Sequence, residues 1–231
     1  MDIDLTKIEG KEFSPVGFFE ITKNIFVDFK SSNNNYGSIV RDSRGYRNVN
    51  KLVDEIIPIA LYLKYSGLCL DVKKIKWMNG SQKGDAIITA NEEEVLEVTT
   101  VRHKNEHLRR FMVNQSGYSF GASGVKKDEK TGKLKSLAVG DKHSSFIIEN
   151  ADWIKSGISK KVGKYGHRKA RLIVNVYPDG PMMDEDIMEI QHSLETFQLP
   201  ECFLHVYVCF SGSEKGLVIS PSKKPYSKSS L

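Results

Sequence analysis

Gly84-Asp85-Ala86-Ile87-Ile88-Thr89-Ala90-Asn91-Glu92-Glu93-Glu94-Val95-Leu96-Glu97-Val98-Thr99-Thr100-Val101 is the stretch whose reading decides the architecture. Asp85 to Thr89 is a short run of strand formers, Asn91 to Glu93 is a polar turn, and Val95 to Val101 is dominated by β-branched residues. The two runs predict a hairpin. Upstream, Val72 to Met78 carries Val72, Ile75 and Trp77 as its larger apolar members, and Asn79-Gly80 marks a turn after it. The hairpin is therefore extended to a three-strand meander.

Before the meander, Leu52, Val53, Ile56, Ile57, Ala60, Leu61 and Leu63 recur at helical spacing to about Tyr65. Asn50 is placed to cap this helix, Pro58 to kink or divide it, and Gly67 to end it. After the meander, His103 to Val113 reads as a further helix. Asn114 to His143 is Gly-, Ser- and Lys-rich, with Glu129-Lys130-Thr131-Gly132-Lys133 at the tip of a β-hairpin insertion. In Ser145 to Tyr165 an apolar stripe of Ile147, Ala151, Ile154, Ile158, Val162 and Tyr165 predicts a long helix. Gly157 and Gly163 weaken it by about 1 kcal/mol each relative to alanine. Ala170 to Tyr177 is a strand, Asp184 to Phe197 a helix with carboxylates in its first turn, and Cys202 to Phe210 a strand buried on both faces.

This order predicts an α/β fold, a three-layer α/β/α sandwich around a central mixed sheet. One domain is expected over residues 1–219, with its core at about 49–210 and its insertion at 114–143. Residues 1–48 read as a strand-rich extension, since Phe18 to Ile21 and Ile25 to Phe29 are short apolar runs. Ser31 to Tyr36 and Arg41 to Asn50 read as loops, and residues 220–231 as a flexible tail.

Composition narrows the classes. With 231 residues and 39% hydrophobic residues, the chain can bury a core and is not of the disordered type. Its apolar stretches, such as Ile56 to Leu63, are too short to span a membrane, and its polar start does not resemble a secretory signal. Three cysteines, Cys69, Cys202 and Cys209, make no Cys-x-x-Cys pair, so a cytoplasmic setting is expected. The net charge is +5, and between Lys155 and Arg171 seven Lys or Arg occur with no carboxylate. That local positive face permits a phosphate-rich partner.

Asp85 and Glu97 fall on neighbouring strands of the hairpin. Two carboxylates a few ångströms apart repel unless a cation lies between them, and hard oxygen ligands suit Mg²⁺ or Mn²⁺. Such an ion activates water and stabilises the leaving oxygen of a phosphodiester.

The layout of helix, meander, helix and strand, with Gly84-Asp85-Ala86-Ile87-Ile88 and Leu96-Glu97-Val98-Thr99, resembles the PD-(D/E)XK nuclease superfamily, the restriction-endonuclease-like fold. Glu55 matches the acidic residue that often precedes the meander there. Ile158-x-x-Lys161-x-x-Lys164-Tyr165, followed by the strand Leu172 to Val176, matches the next helix and strand. The resemblance implies a metal-dependent nuclease in which Asp85 and Glu97 hold Mg²⁺ or Mn²⁺, with the Val98 carbonyl as a possible ligand, and Glu55 assists. It implies a nucleic-acid partner, DNA in preference to RNA, with a homodimer allowed. Thr99 departs from the pattern, because it stands where the motif has lysine and carries no charge.

Lys161 is the best substitute, lying about 20° from Ile154 around the helix and thus on the inward stripe. Lys164 is second, on the flank of the stripe. Lys160 points away and is a candidate for phosphate contact, as are Arg102, Lys104, Lys164 and Arg168. His103, Arg109 and Arg110 are further candidates, and Lys126, Lys127, Lys130, Lys133 and Lys135 give the insertion a basic surface. The bland alternative is a solvated basic face.

Two other readings stay open. One is a non-catalytic nucleic-acid- or protein-binding module on the same fold, which Thr99 favours. The other is a zinc peptidase, because His103-x-x-Glu106-His107 resembles an inverted zinc-protease motif. Its polar surroundings, Thr-Thr-Val-Arg before and Leu-Arg-Arg after, suit a buried zinc site poorly.

Overall fold

The computed structural model describes residues 3–32, 47–80, 84–109, 112, 122–136, 143–165, 169–180, 182–211 and 213–221. The elements in chain order begin with β1 (Glu12–Phe13), α1 (Pro15–Ser32) and α2 (47–65). The meander follows as β2 (Lys74–Trp77), β3 (Ala86–Thr89) and β4 (Glu93–Arg102). The small hairpin β5 (Val125–Lys127) and β6 (Leu134–Ser136) comes next, then α3 (His143–Tyr165) and β7 (Ala170–Tyr177). The chain continues through α4 (Asp184–Leu194) and β8 (Phe203–Phe210) to β9 (Gly216–Ile219).

Seven strands form one mixed sheet in the order β1-β2-β3-β4-β7-β8-β9. Neighbours from β1 to β4 are antiparallel, β4, β7 and β8 are parallel, and β9 is antiparallel to β8. Parallel neighbours need crossovers, and α3 and α4 supply them. They pack on one face through Ile154, Ile158, Leu172, Val174, Ile190 and Val206. The opposite face is covered by α1 and α2 through Phe18, Ile56, Ile59, Ile75, Ile88 and Ile173. Helices on both faces explain why β7 and β8 are almost wholly apolar. Among the described residues, no helix is long and apolar enough to cross a membrane.

The strand-rich reading of the first thirty residues is corrected. Apart from the two residues of β1, this region is dominated by α1. The Ser14 hydroxyl accepts the Gly17 N–H at 3.1 Å, and Pro15 opens the first turn. Phe18, Thr22, Ile25 and Phe29 are buried at helical spacing. The aromatic and β-branched composition suggests strands, but the spacing and the cap decide for a helix. Ser31 and Ser32 belong to α1, and the rest of the expected loops up to residue 46 lies outside the described residues.

Asn50 is also reassigned. It lies within α2, which is already helical at Arg47, so it is not the cap. Pro58 does interrupt the helix, but through a π-helical turn at Leu52–Ile56. The Ile57 N–H reaches back to the Leu52 carbonyl, and Pro58 has no N–H to give to Asp54. Sheet side chains take the released carbonyls. Thr100 Oγ1 donates to the Asp54 carbonyl at 3.3 Å, and Asn175 Nδ2 to the Val53 carbonyl at 3.4 Å. The irregular turn thus has its polar groups satisfied by β4 and β7.

Candidate active site

Asp85 precedes β3 and is wedged between two strands. Its N–H donates to the Leu96 carbonyl at 3.0 Å, and its carbonyl accepts the Met78 N–H at 2.9 Å. Its carboxylate folds across onto β4, where Oδ2 accepts the Val98 N–H at 2.7 Å. The preceding Gly84 is required by close approach, because a Cβ there would lie 2.4 Å from Val95 Cγ1. The register Ala86↔Leu96 places Asp85 beside Glu97.

Glu97 is only 1% exposed, and two lysines from α3 neutralise it. Lys161 Nζ lies 2.5 Å from Glu97 Oε1, and Lys164 Nζ lies 2.9 Å from both carboxylate oxygens. Gly157 explains how α3 comes so close. A Cβ there would stand 2.6 Å from Val101 Cγ1 and 3.6 Å from Thr99 Cγ2. The helical cost of this glycine therefore accompanies a packing gain. Thr99 lies under the helix at this contact, and its short side chain suits the narrow gap. The cation missing at position 99 reaches the carboxylate from the helix above.

Glu55, from the π turn of α2, faces the same group. Burial first, and then the Asp85 charge, push its carboxyl up to about 7, against the pull of Lys51. The indole N–H of Trp77 leans toward it and lowers it somewhat, without reaching full hydrogen-bond geometry. Asp85 is itself raised, by burial and then by Glu97, while the Val98 N–H and the two lysines oppose the shift. Glu55, Asp85, Glu97, Lys161 and Lys164 thus form one electrostatically connected cluster.

The other basic candidates are dispersed. Arg102 pairs with Asp54, lies 4.3 Å over the Tyr177 ring and fastens α2 to the sheet. Lys104 and Lys160 are exposed, as are Lys126, Lys127, Lys130 and Lys133 on the β5–β6 hairpin, and Lys135 pairs with Asp128. Arg110 and Arg168 lie outside the described residues.

The His103, Glu106 and His107 side chains serve separate local contacts. His103 precedes the helical turn at 106–109, accepts the Asn105 N–H and packs edge-on against Trp153. Arg109 grips both Glu106 oxygens, at 2.7 and 2.9 Å, and His107 Nδ1 lies 2.9 Å from the Lys104 carbonyl.

Among the described residues, no three His, Cys, Asp or Glu side chains form a metal-ligand group. Asp85 and Glu97 supply adjacent hard oxygens on neighbouring strands. That donor set fits Mg²⁺ or Mn²⁺, which bind through one or two carboxylates together with substrate phosphates and water.

Sequence reasoning missed a second ionic cluster, on the opposite face of the same strands. Arg171, 5% exposed, donates to Glu94 at 2.5 Å and to the Tyr62 hydroxyl and the Leu68 carbonyl at 3.0 Å each. The Tyr62 hydroxyl lies 2.9 Å from His205 Nε2. Burial and Arg171 hold that imidazole down at about 4, so it is neutral near pH 7. A lone arginine in an apolar strand was the available signal. Elsewhere, a cavity of about 360 Å³ between α1, α2 and the end of β8 is lined mainly by Phe19, Phe26, Val53, Ile57, Leu61 and Phe210, and its lining includes none of Glu55, Asp85 and Glu97. No protein-family model, no curated protein and no solved structure matches this chain.

Proposed function

We propose that the chain is a metal-dependent phosphodiesterase acting on nucleic acid, of the PD-(D/E)XK nuclease type and its restriction-endonuclease-like fold. The observation that carries this reading is the convergence of Lys161 and Lys164 on Glu97 beside Asp85. It supplies both halves of the required chemistry, adjacent carboxylates for a cation and ammonium groups for a phosphate, although Thr99 replaces the motif lysine. Asp85 and Glu97 are the residues that hold Mg²⁺ or Mn²⁺. When bound, the ion supplies Lewis-acid stabilisation of charge on the phosphate and lowers the pKa of water. Lys161 orients the attacking water or the phosphate, and Lys164 neutralises phosphate charge. Glu55 faces this carboxylate pair from α2 and is the carboxylate placed to accept a proton from that water. Exposed Lys104, Lys160 and the hairpin lysines extend the phosphate-binding surface, and DNA is the preferred substrate over RNA.

A binding module without catalysis is the second reading. It is favoured by one observation, that lysines occupy both oxygens of Glu97. The deciding experiment is incubation of DNA and RNA substrates with Mg²⁺ or Mn²⁺, comparing wild type with Asp85→Ala and Lys161→Ala. Metal-dependent cleavage lost in both variants supports the proposal. Cleavage lost only in Asp85→Ala keeps the enzyme and removes Lys161 from its machinery. Nucleic-acid binding without cleavage by the wild type selects the binding module.

A further inference from the structure

We propose that Lys161 and Lys164 are exchangeable counter-ions of Glu97, so that a divalent cation and a nucleic-acid phosphate load this site together and neither loads well alone. The inference rests on the phosphodiesterase reading above and concerns how its site fills.

Charge balance around a buried carboxylate is the reason. With both carboxylates ionised, Asp85 and Glu97 carry two negative charges, and Lys161 and Lys164 return two positive ones. These four groups are therefore formally neutral together. A divalent cation arriving alone sets two further positive charges beside two ammonium groups already gathered on a buried carboxylate. A phosphodiester arriving alone meets two carboxylates. Arriving together, the two compensate each other. The cation takes the carboxylates, and the ammonium groups pass to the phosphate oxygens.

The structure separates fixed parts from movable ones. Glu97 is 1% exposed and sits within a strand paired on both sides. Asp85 is pinned through its backbone and its carboxylate. The lysine side chains are 25% and 42% exposed, on flexible four-carbon stems. Their heads can leave Glu97 without moving α3, because Gly157 keeps the helix seated on the sheet.

The test is Mn²⁺ binding to the full chain, read from the paramagnetic resonance signal of free Mn²⁺, with and without a duplex DNA oligonucleotide. Wild type is expected to bind Mn²⁺ weakly alone and at least about tenfold more tightly with DNA, a tenfold change being about 1.4 kcal/mol. Lys164→Met, which keeps most of the stem, should bind Mn²⁺ about tenfold more tightly than wild type without DNA and gain less from DNA. Lys161→Met should behave likewise, so the test does not depend on one variant folding. Lys164→Arg keeps the charge and should follow wild type. Equal Mn²⁺ affinity in wild type and both methionine variants overturns the exchange. So does wild-type affinity that DNA leaves unchanged. In either case metal-dependent cleavage would still uphold the phosphodiesterase reading. Absence of Mn²⁺ binding in every protein, with and without DNA, would remove both.

Discussion

Glu97 and Arg171 sit back to back. In the register of β4 with β7, Leu96 pairs with Arg171 and Glu97 with Leu172, so the two ionic clusters lie on opposite faces one residue apart. Both bury a charge and both tie a helix to the sheet, but they do so differently. Arg171 is a rigid fork whose donors are taken by Glu94, the Tyr62 hydroxyl and the Leu68 carbonyl. Movement of any one partner leaves a buried donor unpaired, so the cluster acts as a fastener. Glu97 is an acceptor whose partners are two half-exposed ammonium groups on flexible stems. Its counter-charge can be replaced without unpacking the core. The difference teaches that a buried charge suits chemistry when its compensation is mobile, and suits structure when its compensation is fixed.

The largest expected effect breaks the Glu97 side. Glu97→Gln keeps the shape but removes the charge that gathers both lysines, and cleavage of nucleic acid should fall at least about 10³-fold. That corresponds to about 4 kcal/mol at the barrier. A cleavage time course measures it, and wild-type rates would remove Glu97 from the site.

Arg171→Met breaks the other side. Removing one partner of a buried ion pair costs about 3 kcal/mol or more, because Glu94 and the Tyr62 hydroxyl lose their donor. Urea denaturation should show that loss, while metal binding at Asp85 and Glu97 stays at wild-type affinity in the folded variant.

Gly157→Ala sharpens the comparison by moving α3 alone. The new methyl meets Val101 and lifts the helix with Lys161 and Lys164. The expected cost is about 1–3 kcal/mol of stability, with cleavage reduced by more than that instability accounts for. Thermal melts and rate measurements on the same preparation test it.

A pH dependence tests Glu55. The Glu55 carboxyl is raised from 4.5 to about 7 in the folded chain, so the native state holds this proton more tightly than the unfolded state. The stability it contributes is full below about 4.5 and is lost as pH rises to about 7. Glu55→Gln should remove that slope. Its melting temperature relative to wild type should be higher at pH 8 than at pH 5. Parallel curves across this range would show that Glu55 ionises normally.

Much of this arrangement was legible in the chain. Helical periodicity revealed α3, because it has one buried face, and runs of β-branched residues between turn residues revealed the meander. Lys161 was identifiable because it interrupts an otherwise apolar stripe, and Asp85 and Glu97 because a hairpin sets them side by side. The helix α1 was misread because Phe18, Phe19, Ile21 and Ile25 resemble strand residues in composition, while buried Thr22 breaks the apolar pattern. The short strand β9 was hidden in a Gly- and Ser-rich stretch, where four residues are too few for a period to show.

By itself the sequence determined the α/β order, the carboxylate hairpin and the supply of lysines on one helix, since these depend on contacts only a few residues apart. Tertiary structure alone decided that Lys164 grips Glu97 as fully as Lys161 does, and that Arg102 serves Asp54. It also decided that Asn175 and Thr100 satisfy a π turn more than forty residues away. Those choices depend on how closely α3 and α2 approach the sheet. That approach is set by packing at Gly157 and by the missing N–H of Pro58, through contacts with residues distant in the chain.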